Sequence, residues 1–403
     1  MRLSTANIFD ASIATLQKRQ QQMQDSQQRL TSGKRIERAS DDPTGAARAE
    51  RALAAIGQVE ANQRALDASR NSMTLSESAL GDAGEILQQI RETLVAAGNA
   101  SYSDPERAGL ANKISGLRAQ LLSIANRPDG VGGFLFSGQG SSNPPFLDTP
   151  GGVEFAGLPG SVETGNLDSF ALTVDGRLAW EQGRSGNGSF VTSAGLNSID
   201  GISPAKGWID SGRVTDPQLL SGNNYQILIS GVGAAATYTI TNVDTGAVDS
   251  GAFSTGQTLK FEGMAVQIGG APADGDQFLI KPASSDLKLF GVLDQAVADL
   301  RKTNRGGAEI TQANLVAIRD LDAAMSNLQN VRSQVGERMN NLDGSENRMA
   351  ALKQYSQQER SAAEDLDMVQ GISDFQNQQT GYDAALKTYA MVQRMSLFQY
   401  INS

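Results

Sequence analysis

Residues 41–66 read DDPTGAARAERALAAIGQVEANQRAL, and from Val59 a bulky apolar residue returns at every seventh position: Val59, Leu66, Met73, Leu80, Leu87 and Leu94. Recurrence at seven is the mark of a long helix that buries one stripe. Asp41 and Asp42 ahead of Pro43 supply its start, an Asp N-cap followed by proline at the first helical position. Two adjacent carboxylates can also serve acid/base or metal chemistry, but the proline directly after them favours the cap. Three residues beyond each member of the row stand Asn62, Ser69, Ser76, Ala83, Ile90 and Ala97, mostly small, so a neighbouring helix is expected to approach closely there. A helix over residues 43–97 spans roughly 80 Å.

The same grammar extends towards both ends. Phe9, Ile13, Leu16, Gln20, Met23, Gln27 and Leu30 follow in steps of four and three, with Thr31-Ser32-Gly33 as the stop. Residues 99–104 read as a loop, and Pro105 restarts a helix to about Asn126. In the last third, Ile318, Leu321, Met325, Leu328, Val335, Met339, Leu342 and Met349 lie on a heptad grid, with Arg332 and Glu346 as its polar exceptions. A final seam runs through Met368, Ile372, Phe375, Gln379, Tyr382, Leu386 and Tyr389. Past it the grid slips, and Val392, Met395, Leu397, Phe398 and Ile401 leave the tail strongly apolar. A helix with one narrow stripe and no local partner is marginal in water. Both ends are therefore expected to pair with each other, with copies of the chain or with another protein, and to order only there.

Between the helical ends the composition changes. Of 43 glycines, 28 fall between Asp129 and Ser285, as do 8 of the 11 prolines. Residues 137–152 read as a Gly/Ser/Pro linker. Residues 224–229, 237–240, 258–261, 264–268 and 277–280 alternate as short strands, with a Glu262-Gly263 turn and an Asp274-Gly275 turn between them. Strands of this length and spacing predict a small sandwich or barrel.

The chain has no Cys and no His, which removes disulfides, thiol and imidazole catalysis, and His or Cys metal ligands. Its 34 Lys and Arg against 44 Asp and Glu argue against nucleic acid as a partner. No apolar run marks a cleaved signal peptide, and none reaches the ~18 residues of a membrane span. Gly138-Gln139-Gly140 lacks the Lys-Ser/Thr of a phosphate loop, and Asp274-Gly275-Asp276 lacks the remaining ligands of a calcium loop, so linker and hairpin turn are the expected readings. Lys34, Arg35 and Arg38 read as a solvated basic loop, with an ion pair to a neighbouring subunit as the functional alternative. No catalytic, cofactor or metal constellation emerges.

Residues 29–49, RLTSGKRIERASDDPTGAARA, resemble the motif that follows the first terminal helix in the flagellin-like family of flagellins and their hook–filament junction relatives. The opening MRLST, residues 132–146 (GGFLFSGQGSSNPPF) and residues 396–401 (SLFQYI) are closest to the junction branch, and residues 361–375 resemble the family's C-terminal helix. The resemblance implies a structural subunit and no enzyme: exported uncleaved through the flagellar type III pathway to an extracellular place on the flagellum, with a small chaperone on its C-terminal helix. It would sit in a ring of copies between a first junction protein and flagellin.

The expected fold is α+β and multidomain: a terminal α-helical coiled coil, a helical rod and an inserted all-β domain. The expected parts are an inner arm at 1–42, rod at 43–145, β-rich outer domain at 146–285, rod again at 286–358 and a second inner arm at 359–403. Assembly is expected to rest on Phe9, Ile13, Leu16, Met23 and Leu30 of the first arm. On the last arm it rests on Ile372, Phe375, Tyr382, Leu386, Tyr389, Met395 and Phe398, with Asp41, Asp42 and Pro43 as the motif cap. Two other readings compete: flagellin itself, and a glycan-binding β module using Trp180 and Trp208.

Overall fold

The computed structural model of the chain describes residues 5–99, 101–165 and 167–401, apart from the side chains of 5–9 and 392–401. Three helices come first, α1 (Thr5–Ser32), α2 (Pro43–Ala97) and α3 (Asp104–Ala125). The middle carries β1 (Phe146–Thr149), β2 (Gly152–Phe155), β3 (Glu163–Thr164), β4 (Phe170–Ala171), the short α4 (Gly176–Trp180), β5 (Phe190–Ala194), β6 (Gly207–Ile209) and β7 (Arg213–Val214). It continues with β8 (Tyr225–Ser230), β9 (Thr237–Asn242), β10 (Val248–Ala252), β11 (Thr258–Phe261), β12 (Met264–Gly270) and β13 (Gln277–Pro282). Three helices close the chain, α5 (Leu289–Arg301), α6 (Gly307–Glu364) and α7 (Met368–Ile401). Two compact units result, residues 1–64 with 345–403, and residues 65–344.

In the larger unit the heptad row of α2 is the spine. Leu66, Met73, Leu80, Leu87 and Leu94 are each 0–2% exposed. The small row is buried beside it, but at Ser69 and Ser72 the close neighbour is a strand rather than the expected helix. Their hydroxyls donate to the carbonyls of Ala171, at 2.5 Å, and Leu172. Helix α6 runs antiparallel to α2, with Arg70–Asp343 (2.8 Å), Arg332–Glu77 (2.5 Å) and Arg91–Asp322 (2.6 Å) bridging them in order. Its buried positions include Leu321, Leu328, Val335, Leu342 and Met349, together with Ala317, Ala324 and Val331. Met325 is half-buried and Arg332 exposed, so the second row of the expected grid sits one residue earlier.

In the expected linker at 137–152, residues 139–144 are mostly exposed, as a linker would be, while Ser137, Gly138, Pro145 and Phe146 are buried. Phe136 and Phe146 are buried with Trp180 and Phe290, the Trp180 and Phe290 rings stacked at 5.9 Å and Phe136 edge-on to Trp180 at 5.7 Å. Glycine and proline shape the backbone of this stretch while its aromatics anchor it. Arg118 of α3 ties the cluster together: it bonds Asp148 of β1 (2.8 Å) and Asp294 of α5 (3.0 Å), and its guanidinium lies 5.9 Å from the Phe290 ring centre. Trp180 is thus committed to packing, which removes the two-tryptophan glycan platform.

The β domain is a sandwich of two antiparallel sheets, ordered β10-β9-β8-β13-β5 and β11-β12-β6, with β7 also on β12. They share one core, including Phe190, Ile227, Ile229, Ile240, Phe278 and Ile280 from the first sheet and Ile209, Leu259, Val266 and Ile268 from the second. This core begins at Phe190, whereas Phe146 and Trp180, inside the expected outer domain, pack with Phe290 of α5. Glu262 and Gly263 both have positive φ (39° and 76°), the backbone a two-residue hairpin between β11 and β12 requires. The Asp274-Gly275 turn is not a hairpin, because β12 and β13 belong to different sheets; it is a crossover. Its anchor is Asp276, fully buried, whose carboxylate accepts from Lys206 N (2.8 Å), Ala273 N (2.9 Å), Asn197 Nδ2 (3.0 Å) and Gly207 N (3.2 Å).

In the smaller unit Asp42 caps α2. One carboxylate oxygen accepts from Gly45 N (3.0 Å), Thr44 N (3.1 Å) and Thr44 Oγ1 (2.8 Å), and Pro43 opens the helix. Asp41 performs the same office for the preceding turn, accepting from Arg38 N (3.0 Å) and Glu37 N (3.2 Å). These bonds, from Gly45 for Asp42 and from Arg38 for Asp41, hold both carboxyls below their ordinary range. Helix α6 runs on to Glu364, so the second arm starts at Met368 rather than at 359.

Two predictions follow from this geometry. Asp276→Ala leaves several buried donors unmatched and is expected to cost about 3 kcal/mol or more, read as a lower sandwich transition in calorimetry. A loss within experimental error would show that water replaces the carboxylate. Asp42→Ala is expected to lower the helical melting temperature at neutral pH. The depressed pKa means that Asp42 stabilises fully above its unfolded value of about 3.9 and loses this as pH falls through the lower folded value. The gap between Asp42→Ala and the parent chain, followed by circular dichroism, should therefore close in acid.

Candidate assembly interface

Helices α1 and α7 pair antiparallel within one chain. Leu30 lies over Gly371, Ser26 Oγ donates to Gln378 Oε1 at 2.7 Å, and Arg19 reaches Gly381, so α7 rises as α1 descends. Of the expected partners, the ends have found each other. Their cover is thin. None of the described side chains of α1 is buried, and in the described part of α7 only Gly371 is.

The face that α7 turns inward is Gly371, Phe375, Gln378, Tyr382, Ala385 and Tyr389, again in steps of four and three. Phe375, Tyr382 and Tyr389 are where the heptad reading puts them. The alternate positions slip by one: Gly371 replaces Ile372, Gln378 replaces Gln379, and Ala385 replaces Leu386. On α1, Leu16, Met23 and Leu30 are half-buried, but Ser12 and Ser26 turn inward in place of Ile13 and Gln27. The physical cause is helix spacing, since small residues let two backbones approach while a bulky neighbour is pushed to the flank. A small residue directly before Ile13, Gln27, Ile372 and Leu386 is the signal that hydrophobicity alone passes over. The result is a second, outward row: Ile13 is 36% exposed, Met368 46%, Ile372 47% and Leu386 41%. Phe9, Met395 and Phe398 lie outside the described side chains.

At the base of the pair, Gly33 ends α1 with φ +68°. The loop after it runs against residues 363–366. Leu366 N donates to Gly33 O (2.9 Å) and Arg35 N to Glu364 O (2.7 Å). Lys34 pairs with Glu364 (3.3 Å) and Arg35 with Asp42 (3.6 Å), while Arg35 Nη2 donates to Ala363 O (2.7 Å). Lys34 and Arg35 are therefore engaged within the chain rather than free in a solvated loop. Ile36 is buried against Gly45, where an added Cβ would press on Ile36 Cδ1 and on the capping carboxylate of Asp42, so a larger residue there has to displace both side chains. Among the described residues no helix is long and apolar enough to cross a membrane.

Comparisons with known proteins follow the same division. Residues 3–141 match the bacterial flagellin N-terminal helical region, residues 318–401 the bacterial flagellin C-terminal helical region, and residues 207–282 the D2-like domain of flagellar hook-associated protein 1. Flagellar hook-associated protein 3 of Escherichia coli strain K12 is 24% identical over 401 residues, 99% of each chain. The crystal structure of FlgL from Xanthomonas campestris is 25% identical with a TM-score of 0.67, covering 78% of this chain and 99% of that one. The flagellar junction protein FlgL of Legionella pneumophila has the same fold at 24% identity and a TM-score of 0.67, covering 79% of this chain and 100% of that one. Its two terminal helical regions, which together take up just over half of the chain, place it in the flagellin-like family of flagellar structural proteins, and over its full length it is similar to flagellar hook-associated protein 3.

Proposed function

We propose that this subunit joins the hook side of the flagellum to the flagellin filament, as a ring of copies held together by the terminal helices. The observation that carries the reading is the outward row of α1 and α7. Ile13, Met368, Ile372 and Leu386 stay wet in the single chain although they lie beside a formed seam. Burying a fully exposed side chain of this kind contributes roughly 1.5–3 kcal/mol, so covering the part still wet at these four contributes about 1 kcal/mol each, a sum that favours association when repeated around a ring. The remaining assembly residues, from Phe9 to Phe398, line the same two helices. The same greasy row calls for cover before assembly, which is the work of a small export chaperone on α7, and export to the cell exterior by the flagellar type III route fits a subunit that has to reach the tip of a growing structure. The immediate neighbours are the first junction protein on one side and flagellin on the other. The likeness of residues 207–282 to a hook-associated domain favours this reading over flagellin, because it extends the hook-associated character beyond the terminal helices.

A strain lacking the gene should keep its hooks, make no filament and shed flagellin into the medium. Filaments of normal length in that strain would overturn the junction role. Ile372→Asp and Leu386→Asp act on exposed positions, so each should change the stability of the solitary chain by less than about 0.5 kcal/mol while blocking incorporation into flagella. Normal incorporation of both variants would remove the outward row from the interface.

A further inference from the structure

We propose that the sandwich is a hinged body, held at one angle to the rod by two side chains of α6, Gln312 and Arg319. The inference goes beyond the assembly reading and makes no use of the terminal helices. The chain enters the sandwich after α4 and leaves it before α5, and the two crossings pair as a narrow neck. Gly183 and Leu287 exchange both backbone bonds (3.2 and 3.0 Å), Ser185 N donates to Ser284 O (2.9 Å) and Ala283 N to Ser189 O (3.0 Å). Gly186 and Gly188 bend the incoming crossing with φ of +66° and +88°. A few loop residues of this kind are enough to absorb a domain rotation. Below the neck, Asn327 Nδ2 donates to Leu178 O at 2.7 Å, which keeps α4 on the rod and leaves the neck as the part that can bend.

The hold that opposes rotation is polar. Among the described residues, the core shared by the two sheets takes none from α6. Instead, Gln312 Oε1 accepts from Ile209 N of β6 at 2.8 Å, and Arg319 Nη1 donates to Thr192 O of β5 at 2.7 Å. Seven residues apart, the two lie on one face of α6, two turns or roughly 10 Å from each other. They grip one strand in each sheet. Thr192 Oγ1 also donates to Asp210 O at 2.6 Å, so the gripped strands are themselves bonded across the sandwich. Two separated holds fix an angle where one would leave a pivot. Both side chains are buried, and the Arg319 guanidinium is set in place by Asp320 through bonds of 2.8 and 3.1 Å. Beside the holds there is room to move. A cleft of about 530 Å³ opens between neck and helix, with Gln182, Arg184 and Asn187 on one wall and Leu315, Ile318 and Ala323 on the other. A close-packed joint leaves no such space.

Because the chain has no cysteine, Gln89→Cys in α2 and Ser250→Cys in β10, both exposed, supply one pair of spin-label sites in the full-length protein. Pulsed dipolar EPR then reads their distance distribution. It should be narrow in the labelled parent and roughly doubled in width by Gln312→Ala and by Arg319→Met. Gln312→Glu keeps the accepting oxygen and should keep the parent width. Hydrogen exchange in β8 and β13 should stay at the parent rate in all three variants. A broad parent distribution, an unchanged width in both Gln312→Ala and Arg319→Met, or equal broadening by Gln312→Glu would overturn the proposal. So would faster exchange throughout the sandwich, which would make the two side chains part of its folding rather than of its placement. The readout belongs to the solitary chain, so a failure here leaves the junction reading standing, and the loss of that reading leaves the hinge.

Discussion

Leu66, Met73, Leu80, Leu87 and Leu94 of α2 form the contact on which the rest of the chain depends. A long helix with a single buried stripe survives only when that stripe is covered, and here α6 runs antiparallel along α2 while the 170–172 stretch is bonded to Ser69 and Ser72 beside the stripe. The ion pairs between α2 and α6 are partly exposed and add little energy each, but their order fixes the direction and stagger of the two helices. Both terminal arms spring from these same two helices. Pairing α2 with α6 brings the distant ends of the sequence near each other, so the arms meet with the loop-closure cost already met.

The molecule thus divides its stability unevenly. The sandwich is complete in itself, with alternating strands around one core and its crossover pinned by the buried Asp276. Helices α1 and α7 are a pair in which, among the described residues, only Gly371 is buried. That contrast is what a polymer subunit needs, a settled body and ends whose remaining apolar surface is spent on neighbours.

Much of this was legible in the residues. The strict sevens of α2, the cap at Asp42 and the strands at 225–230, 264–270 and 277–282 follow from periodicity and turn chemistry alone. What escaped has particular reasons. In α1, α6 and α7 the inward alternate row is Ser26, Ala324, Gly371 and Ala385, which hydrophobic scoring ignores in favour of the bulkier residue one step on. The cluster of Phe136, Phe146, Trp180 and Phe290 was hidden because its members are scattered through a Gly/Pro-rich stretch and into α5, and only tertiary packing gathers them. Strand β10, Val248–Ala252, carries Asp, Ser and Gly and exists because β9 offers it a ladder, a non-local cause that no local pattern records.

The grip of Arg35 on the carbonyl of Ala363 joins residues 328 apart in the sequence. At ribosomal speeds the first helix is made on the order of half a minute before the stretch that will hold it. Throughout that interval α1 has to remain harmless on its own. Its dense run of glutamines, from Gln17 to Gln28, suits this wait: a hydrophilic skin keeps the nascent arm in solution, and its sparse apolar positions become useful only once the far end of the chain has been made.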